Sequence, residues 1–315
     1  GKADAILPRR EVIPGENFKT GDRIQAYLSE VVMTNRGPEI RLSRTSPMFL
    51  VKLFELEVPE IQDGTIEVKS AAREPGHRAK IAVTTADKEI DPVGACVGMK
   101  GSRVQNIVNE LQGEKIDIVR WSQDLDTFAR ATLAPAEISN IQIDHEEKSM
   151  DVVVEEDQLA LAIGRRGQNV RLAAMLTGYK VNIISKTKLQ EKINKAVSNL
   201  VQIDGMTESY AQVLVQNGYT AIGDLSVIDD DTLIHILRVS KEDATKIRLN
   251  TLKAIEEGKI QLGSEDEDLV SASAVPAYNG QIEGGRQKSD QAGEQGKFSE
   301  AERRLREELA AFKLK

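Results

Sequence analysis

Two stretches of this chain set glycines and basic residues in a pattern suited to phosphate. One runs Ala95-Cys96-Val97-Gly98-Met99-Lys100-Gly101-Ser102-Arg103-Val104, the other Leu161-Ala162-Ile163-Gly164-Arg165-Arg166-Gly167-Gln168-Asn169-Val170. In each, small and apolar residues lead into Gly-x-x-Gly with a basic residue inside, and an apolar-periodic helix comes next. Glycines at both ends of a four-residue helix–helix loop remove Cβ atoms where another backbone must come close. The second helix then begins with unpaired N–H groups and a positive dipole end, which suits an anion. Lys100, Arg165 and Arg166 add full charges at the same place. A single Gly-x-x-Gly also describes a tight turn between helices; two copies with basic interiors and matching flanks point to a nucleic-acid backbone.

The elements that must hold these loops repeat as well. After each loop and its helix comes a glycine and a β-branched strand, Gly113-Glu114-Lys115-Ile116-Asp117-Ile118-Val119 and Gly178-Tyr179-Lys180-Val181-Asn182-Ile183-Ile184. Gly98 and Gly164 lie 66 residues apart, a domain-sized repeat that is too long for a solenoid. Upstream of the first loop, Ser46-Pro47 opens a helix with Ser at the N-cap and Pro in the first turn. Met48, Leu50, Val51, Phe54 and Leu56 give that helix an apolar face. Strands are expected over 64–70 and 78–85, joined by Arg73-Glu74-Pro75-Gly76-His77. The second copy has a helix over 126–133 ending near Pro135, then strands over 138–144 and 148–154 around Asp144-His145-Glu146-Glu147. Asp157 is expected to cap the helix carrying Leu159, Ala160 and Ile163. Beyond the second loop, Val170, Leu172, Ala173 and Leu176 read as core-facing. Gln168, Asn169 and Arg171 read either as RNA contacts or as a solvated face.

This order of helix, two strands, helix, Gly-x-x-Gly, helix, strand resembles two KH domains of the prokaryotic, type II arrangement in tandem. KH domains use such a loop to clamp about four backbone nucleotides of a single strand. The resemblance makes Gly98, Met99, Lys100, Gly101, Ser102 and Arg103, and Gly164, Arg165, Arg166, Gly167, Gln168 and Asn169, the candidate RNA-binding residues. Further, LFELEVPEI…AAREPGHRAKIAV…IDPVGACVGMKGSRVQNIVNELQGEKIDIVRW is similar to the NusA family of bacterial transcription factors. In that family an OB barrel, two KH domains and helical C-terminal modules come after a domain that binds RNA polymerase. The similarity runs from residue 1 to about 258 and is most specific over 53–121.

The expected fold is therefore multidomain, α/β and α+β, in six parts. Residues 1–45 read as a partial OB barrel, with strands at Lys2-Ala3-Asp4-Ala5-Ile6-Leu7-Pro8, Gly21-Asp22-Arg23-Ile24-Gln25-Ala26-Tyr27-Leu28 and Glu39-Ile40-Arg41-Leu42-Ser43. A five-stranded barrel needs strands before Lys2, so the barrel is expected to be incomplete and the polymerase-binding domain absent. Residues 46–121 and 122–188 are the two KH domains. Residues 189–258 resemble a helix-hairpin-helix module through Val201-Gln202-Ile203-Asp204-Gly205-Met206, Gly218-Tyr219 and Ile222-Gly223-Asp224-Leu225. Asp204, Glu208, Asp224 and Asp229–Asp231 make that module acidic, which favours a protein contact or spacer over DNA. Residues 259–298, with Glu265-Asp266-Glu267-Asp268 and many Gly, Ser and Gln, have linker or disorder composition. Ser299-Glu300-Ala301-Glu302 begins a terminal amphipathic helix over 299–315 carrying Leu305, Leu309 and Phe312.

With 40% hydrophobic and 29% charged residues the chain reads as a globular protein, and no apolar run approaches a membrane span. Taken whole, the net charge of −8 opposes nucleic acid, but residues 1–120 carry 18 side chains of each sign and most of the excess acid lies beyond residue 190. Aromatics at 4% are too few for ring stacking to dominate recognition. Cys96, the single cysteine, reads as a packed helix position in a reducing cytoplasm. His77, His145 and His235 are scattered, no Cys/His cluster has metal-ligand spacing, and neither a nucleophile elbow nor a P-loop is present. The expectation is thus a cytoplasmic, monomeric, non-enzymatic protein without cofactor or metal. Its partners would be single-stranded nascent RNA, RNA polymerase, and other Nus-type antitermination factors or ribosomal proteins. The function implied by the family is elongation, pausing, termination and antitermination; the alternative is a general RNA-binding module in ribosome biogenesis or RNA decay.

Overall fold

A computed structural model describes residues 4–35, 37–256, 270–272 and 278–279. They fall into two units, one holding the described residues up to Lys186 together with 270–272 and 278–279, the other the described residues from Thr187 to Glu256.

The first unit begins with a three-stranded sheet. Strands β1 (Ala5–Ile6), β2 (Tyr27–Thr34) and β3 (Gly37–Ser43) lie in the order β1-β3-β2, β1 parallel and β2 antiparallel to β3. The strand expected over 21–28 begins instead at Tyr27. The ladder with β3 selects Tyr27–Thr34, and the alternation of the preceding residues has no partner to pair with. Arg44, only 2% exposed, fastens this sheet to the neighbouring domain by reaching Glu16 and the carboxylate of Glu110 at 2.8 Å while lying over the Phe49 ring. Burial works against the Arg44 charge, but the Glu16 and Glu110 carboxylates outweigh it and hold its pKa above the usual value.

Ser46 accepts the N–H of Met48 and Pro47 opens α1 (Pro47–Glu57), succeeded by α2 (Pro59–Gln62). The sheet of the first domain is β4 (Ile66–Glu74), β5 (Arg78–Thr85) and β6 (Lys115–Arg120), β4 antiparallel and β6 parallel to β5. Between β5 and β6 run α3 (Pro92–Val97) and α4 (Ser102–Glu110). One face of this sheet packs Ile66, Val68, Ala71, Ile81 and Val83 with Phe54, Leu50, Cys96, Ile107 and Leu111. β4 continues four residues past the expected end at Ser70, because the β5 ladder runs to Glu74 and the Arg73 guanidinium is held by Glu114 at 2.7 Å with both side chains fully buried.

The second domain repeats the plan with α5 (Leu125–Leu133), β7 (Ile138–Asp144), β8 (Ser149–Val154), α6 (Glu156–Ile163), α7 (Gln168–Thr177) and β9 (Lys180–Ser185). The cap of α6 is Glu155 rather than Asp157, which already lies in the first helical turn. Val170, Leu172, Ala173 and Leu176 are buried as their spacing implies. Leu172 and Leu176 do more than fill their own core. With Phe128 they pack on Ala72, Ala82 and Val119, on the second face of the first domain's sheet. Two alanines on that face let α7 lie close against β4, and the centre of the junction is apolar.

The second unit contains α8 (Lys186–Leu200), α9 (Glu208–Gln216), α10 (Ile222–Val227), α11 (Asp230–Leu237) and α12 (Lys241–Glu256) around Leu200, Leu214, Leu225, Leu233 and Ile247. Part of its acidity is structural. Asp229 caps α11 by accepting the N–H of Thr232, Asp224 accepts those of Thr220 and Ala221, and Asp230 pairs with Arg248 at 2.6 Å.

Within the segment of linker composition, two short strands belong to the first unit. β10 (Val270–Ala272) pairs antiparallel with β9, and β11 (Tyr278–Asn279) antiparallel with β4, so the sheet orders are β10-β9-β8-β7 and β11-β4-β5-β6. A sheet edge offers unpaired N–H and C=O groups to any extended backbone, whatever its composition. The rest of that segment, and the terminal helix expected over 299–315, lie outside the described residues. Among the described residues, no helix is long and apolar enough to cross a membrane.

Candidate nucleic-acid interface

Each Gly-x-x-Gly loop joins two helices that pack on one face of its sheet. In the first, Asp91 caps α3 by accepting the N–H groups of Val93 and Gly94, and Arg120 on β6 braces Asp91 at 2.9 Å. That Arg120 contact, helped by the capping N–H groups, holds the Asp91 carboxyl below the usual carboxylate range. The chain then leaves α3 at Gly98 with φ 75° and ψ 176°, passes Lys100 at φ 52° and ψ 26°, and enters α4 from Gly101 at φ 79° and ψ 13°. In the second loop Gly164 has φ 72° and ψ 173°, Arg166 φ 53° and ψ 31°, and Gly167 φ 74° and ψ 15°. Two sequences that share only their glycines and a central cation thus fold into one backbone shape. The Gly98 and Gly164 conformation is one that an L residue adopts only under strain.

The shape is closed by the same hydrogen bonds in both copies. Gly101 N–H donates to Gly98 O at 3.1 Å, and Gly167 N–H to Gly164 O at 3.1 Å. The residues before α4 and α7 are glycines, so neither helix start has a capping side chain of the kind that closes α1, α3, α5, α9 and α11. The N–H groups of Ser102 and Gln168, which open α4 and α7, bond back to the carbonyls of Met99 and Arg165, and neither helix start has a side-chain acceptor at its cap.

Met99 is 88% exposed, and Lys100, Ser102, Arg165 and Arg166 are exposed too. Among the described residues Lys100, Arg165 and Arg166 make no salt bridge, whereas Arg44, Arg73, Arg78, Arg103, Arg120 and Arg171 are all committed to carboxylates. Arg103 donates to Ala95 O at 2.6 Å and pairs with Glu60 at 3.0 Å, behind the loop. Asn169, 7% exposed, points its amide at the carbonyls of Leu133, Leu161 and Ala162. Gln168 and Arg171 are engaged by Glu74 of the first domain, at 2.7 and 2.9 Å. Of the twelve candidate residues, then, five display their side chains, four are the glycines that shape the loops, and Arg103, Gln168 and Asn169 are turned to internal bonds. Neither sequence reading of Gln168, Asn169 and Arg171, RNA contact or solvated face, describes these bonds. Glu74 lies 94 and 97 residues from its two partners, and no local pattern could have signalled it.

Cys96 is fully buried beneath the first loop, and burial pushes its thiol up to about 12, which makes it a packing residue. No group of three or more His, Cys, Asp or Glu side chains poised for a metal ion occurs among the described residues.

Residues 44–121 match the NusA-like first KH domain, and residues 125–191 the NusA-like second KH domain. The chain belongs to the NusA family. It is 56% identical over 191 residues to the transcription termination/antitermination protein NusA of Halalkalibacterium halodurans, covering 61% of this chain and 50% of that one. It is 54% identical over 191 residues to the Bacillus subtilis protein of the same name, covering 61% and 52%. The Rickettsia conorii NusA is 43% identical over 276 residues, 85% of this chain and 55% of that protein. The chain therefore spans about half the length of these NusA relatives.

Proposed function

We propose that this chain holds single-stranded RNA along its two KH domains and acts as the RNA-handling part of a transcription termination and antitermination factor. The observation that carries this reading is the pair of loops with one backbone shape, presenting Lys100 in the first and Arg165 and Arg166 in the second, exposed cations that make no salt bridge among the described residues. Phosphates sit at Gly98, Lys100, Gly101 and Ser102 in the first loop and at Gly164, Arg165, Arg166 and Gly167 in the second. Met99 offers a soft apolar surface to a base or sugar beside its loop. Arg103, Gln168 and Asn169 support the loops from behind.

The transcript emerging from RNA polymerase is the natural source of such RNA, and RNA polymerase, Nus-type antitermination factors and ribosomal proteins are the proposed partners, in the cytoplasm. The sheet β1-β3-β2 is read as part of an OB barrel. The acidic helical unit is read as a hairpin module for protein contact. The chain works by binding, with no reaction step of its own.

The test is Lys100→Asp combined with Arg165→Asp, measured by fluorescence anisotropy with an unstructured single-stranded RNA at two salt concentrations. Each loop loses a cation and gains an anion, so affinity falls by more than about ten-fold at low salt, with thermal unfolding unchanged. Unaltered affinity rejects the reading. Co-purification of the chain with RNA polymerase tests the transcriptional setting.

A further inference from the structure

The two loops share a backbone but differ in what stands behind them. In the second loop the Glu74 carboxylate, at the end of β4 in the first domain, takes Nε and Nη2 of Arg171 on Oε1 at 2.9 and 2.8 Å and the Gln168 amide on Oε2 at 2.7 Å. The remaining arm of the same guanidinium, Nη1, donates to the carbonyl of Arg166 at 2.5 Å. Arg166 is the loop residue in the left-handed region, and its side chain is one of the exposed cations. One planar fork therefore joins a carboxylate of the first domain to the backbone of the second domain's loop.

The first loop supplies an internal control. Seven residues past Gly98, where Arg171 stands past Gly164, the chain has Gln105, whose amide bonds to Asn109 within its own helix. Ser102 stands in the place of Gln168. Lys100 adopts the left-handed conformation of Arg166, and among the described residues no guanidinium donates to its carbonyl. The fork is thus not what creates the loop shape. What it adds is a tie between that shape and the neighbouring domain.

We propose that Glu74 is a positioning residue for RNA: through Arg171 it braces the second Gly-x-x-Gly loop in the frame of the first domain, so that a strand leaving one loop meets the other in a set register. This rests on the RNA-binding reading above and adds to it a specific division of labour. The apolar contact of Leu172, Leu176 and Phe128 with Ala72, Ala82 and Val119 holds the domains together, and the Glu74–Arg171–Arg166 relay holds the loop.

The test compares the full chain with its Glu74→Gln and Arg171→Lys variants. Gln leaves a weaker, neutral acceptor; Lys keeps a charge near Glu74 but replaces the fork with a point donor that cannot span both partners in this geometry. The first readout needs no RNA. Amide exchange protection at Gly167 exceeds that at Gly101 in the parent chain by about ten-fold, and both variants bring Gly167 down to the level of Gly101. Equal protection in the parent, or a difference that survives both variants, overturns the proposal.

The second readout uses an unstructured RNA of about ten nucleotides, long enough for two four-nucleotide clamps. With the first loop disabled by Lys100→Asp, Glu74→Gln weakens binding about five- to ten-fold. With the second loop disabled by Arg165→Asp and Arg166→Asp, it changes nothing. Equal losses in both backgrounds mean that Glu74 supports the domain junction only, and this also overturns the proposal. If exchange responds as stated but no loop variant affects RNA binding, the brace stands and the RNA-binding reading fails.

Discussion

Arg103 and Asn169 take the same place in the two loops, five residues past the opening glycine, and each fills the volume that a Cβ on that glycine would need. A Cβ on Gly98 would lie 2.7 Å from Cγ of Arg103; one on Gly164 would lie 2.7 Å from Cβ and 2.9 Å from the backbone N of Asn169. Both glycines also hold dihedrals that an L residue adopts at a cost of about 1–3 kcal/mol. The Arg103 side chain can swing aside, whereas the backbone of α7 cannot. Gly164→Ala is therefore expected to destabilise its domain by roughly 1–2 kcal/mol more than Gly98→Ala destabilises its own. Urea unfolding of the two variants checks this, and the reverse order contradicts it.

Salt dependence separates phosphate contacts from the bonds behind the loops. Each phosphate contact to a single strand contributes about 0.7 to the slope of log affinity against log salt. Lys100→Ala and Arg166→Ala are each expected to lower that slope by about 0.7. Arg103→Ala, which removes a guanidinium held by Glu60 and Ala95 O, is expected to leave the slope nearly unchanged while lowering stability. Anisotropy titrations over a range of salt concentrations distinguish the two classes.

Glu114 is fully buried against Arg73, and it also accepts the N–H of Gly76 at 2.8 Å. Glu114→Gln removes the charge while keeping the shape, and leaves the buried guanidinium without its anion. A loss of about 3–5 kcal/mol is expected. Trp121, the only tryptophan, lies at the junction of the two domains and reports the unfolding by fluorescence. A loss below about 1 kcal/mol would show that the Arg44 and Ser46 carbonyls satisfy Arg73 by themselves.

Lys80 and Asp117 give the first domain a dependence on pH. The Lys80 ammonium is 1% exposed and lies 3.0 Å from Asp117, which also takes Arg78 at 2.8 Å. Burial lowers the Lys80 pKa against the opposing pull of Asp117. For Asp117, burial acts to raise the pKa, and Arg78 and Lys80 outweigh it, so the carboxyl is held below its ordinary value. The Asp117 contribution to stability is thus complete above the ordinary carboxylate value and is lost as pH falls through the lower folded one. Between the folded and unfolded pKa values of Lys80 the unfolded chain binds more protons, so stability rises with pH there. Asp117→Asn is expected to cost about 2–3 kcal/mol at pH 7, and less at alkaline pH above the lowered Lys80 pKa, where the neutral amine no longer needs a counter-ion. Urea midpoints at the two pH values test the sign.

Much of the candidate site was legible because it rests on local rules. The glycines of both loops, the Ser46 cap and the buried face of Val170, Leu172, Ala173 and Leu176 come from backbone sterics, capping chemistry and helical spacing, which act within a few residues. Cys96 as a packed residue is explained in the same way. The strand over 27–34, the extension of β4 to Glu74 and the pairing of Val270–Ala272 with β9 were not legible, since each depends on a partner strand brought from elsewhere in the chain.

By itself, then, the sequence determined that two loops of one shape would present cations beside uncapped helix starts, because dihedral freedom and charge belong to single residues. Only the tertiary structure decided which basic and amide side chains stay free. Arg103, Gln168, Asn169 and Arg171 carry polar groups as able to bind as those of Lys100 and Arg165, and what engaged them was an acceptor delivered by folding: Glu60, Glu74, or a carbonyl turned inward, with Asn169 buried and Arg171 still exposed. Hydrogen-bonding capacity is written in the residue, but its use is set by whatever the fold places within about 3 Å.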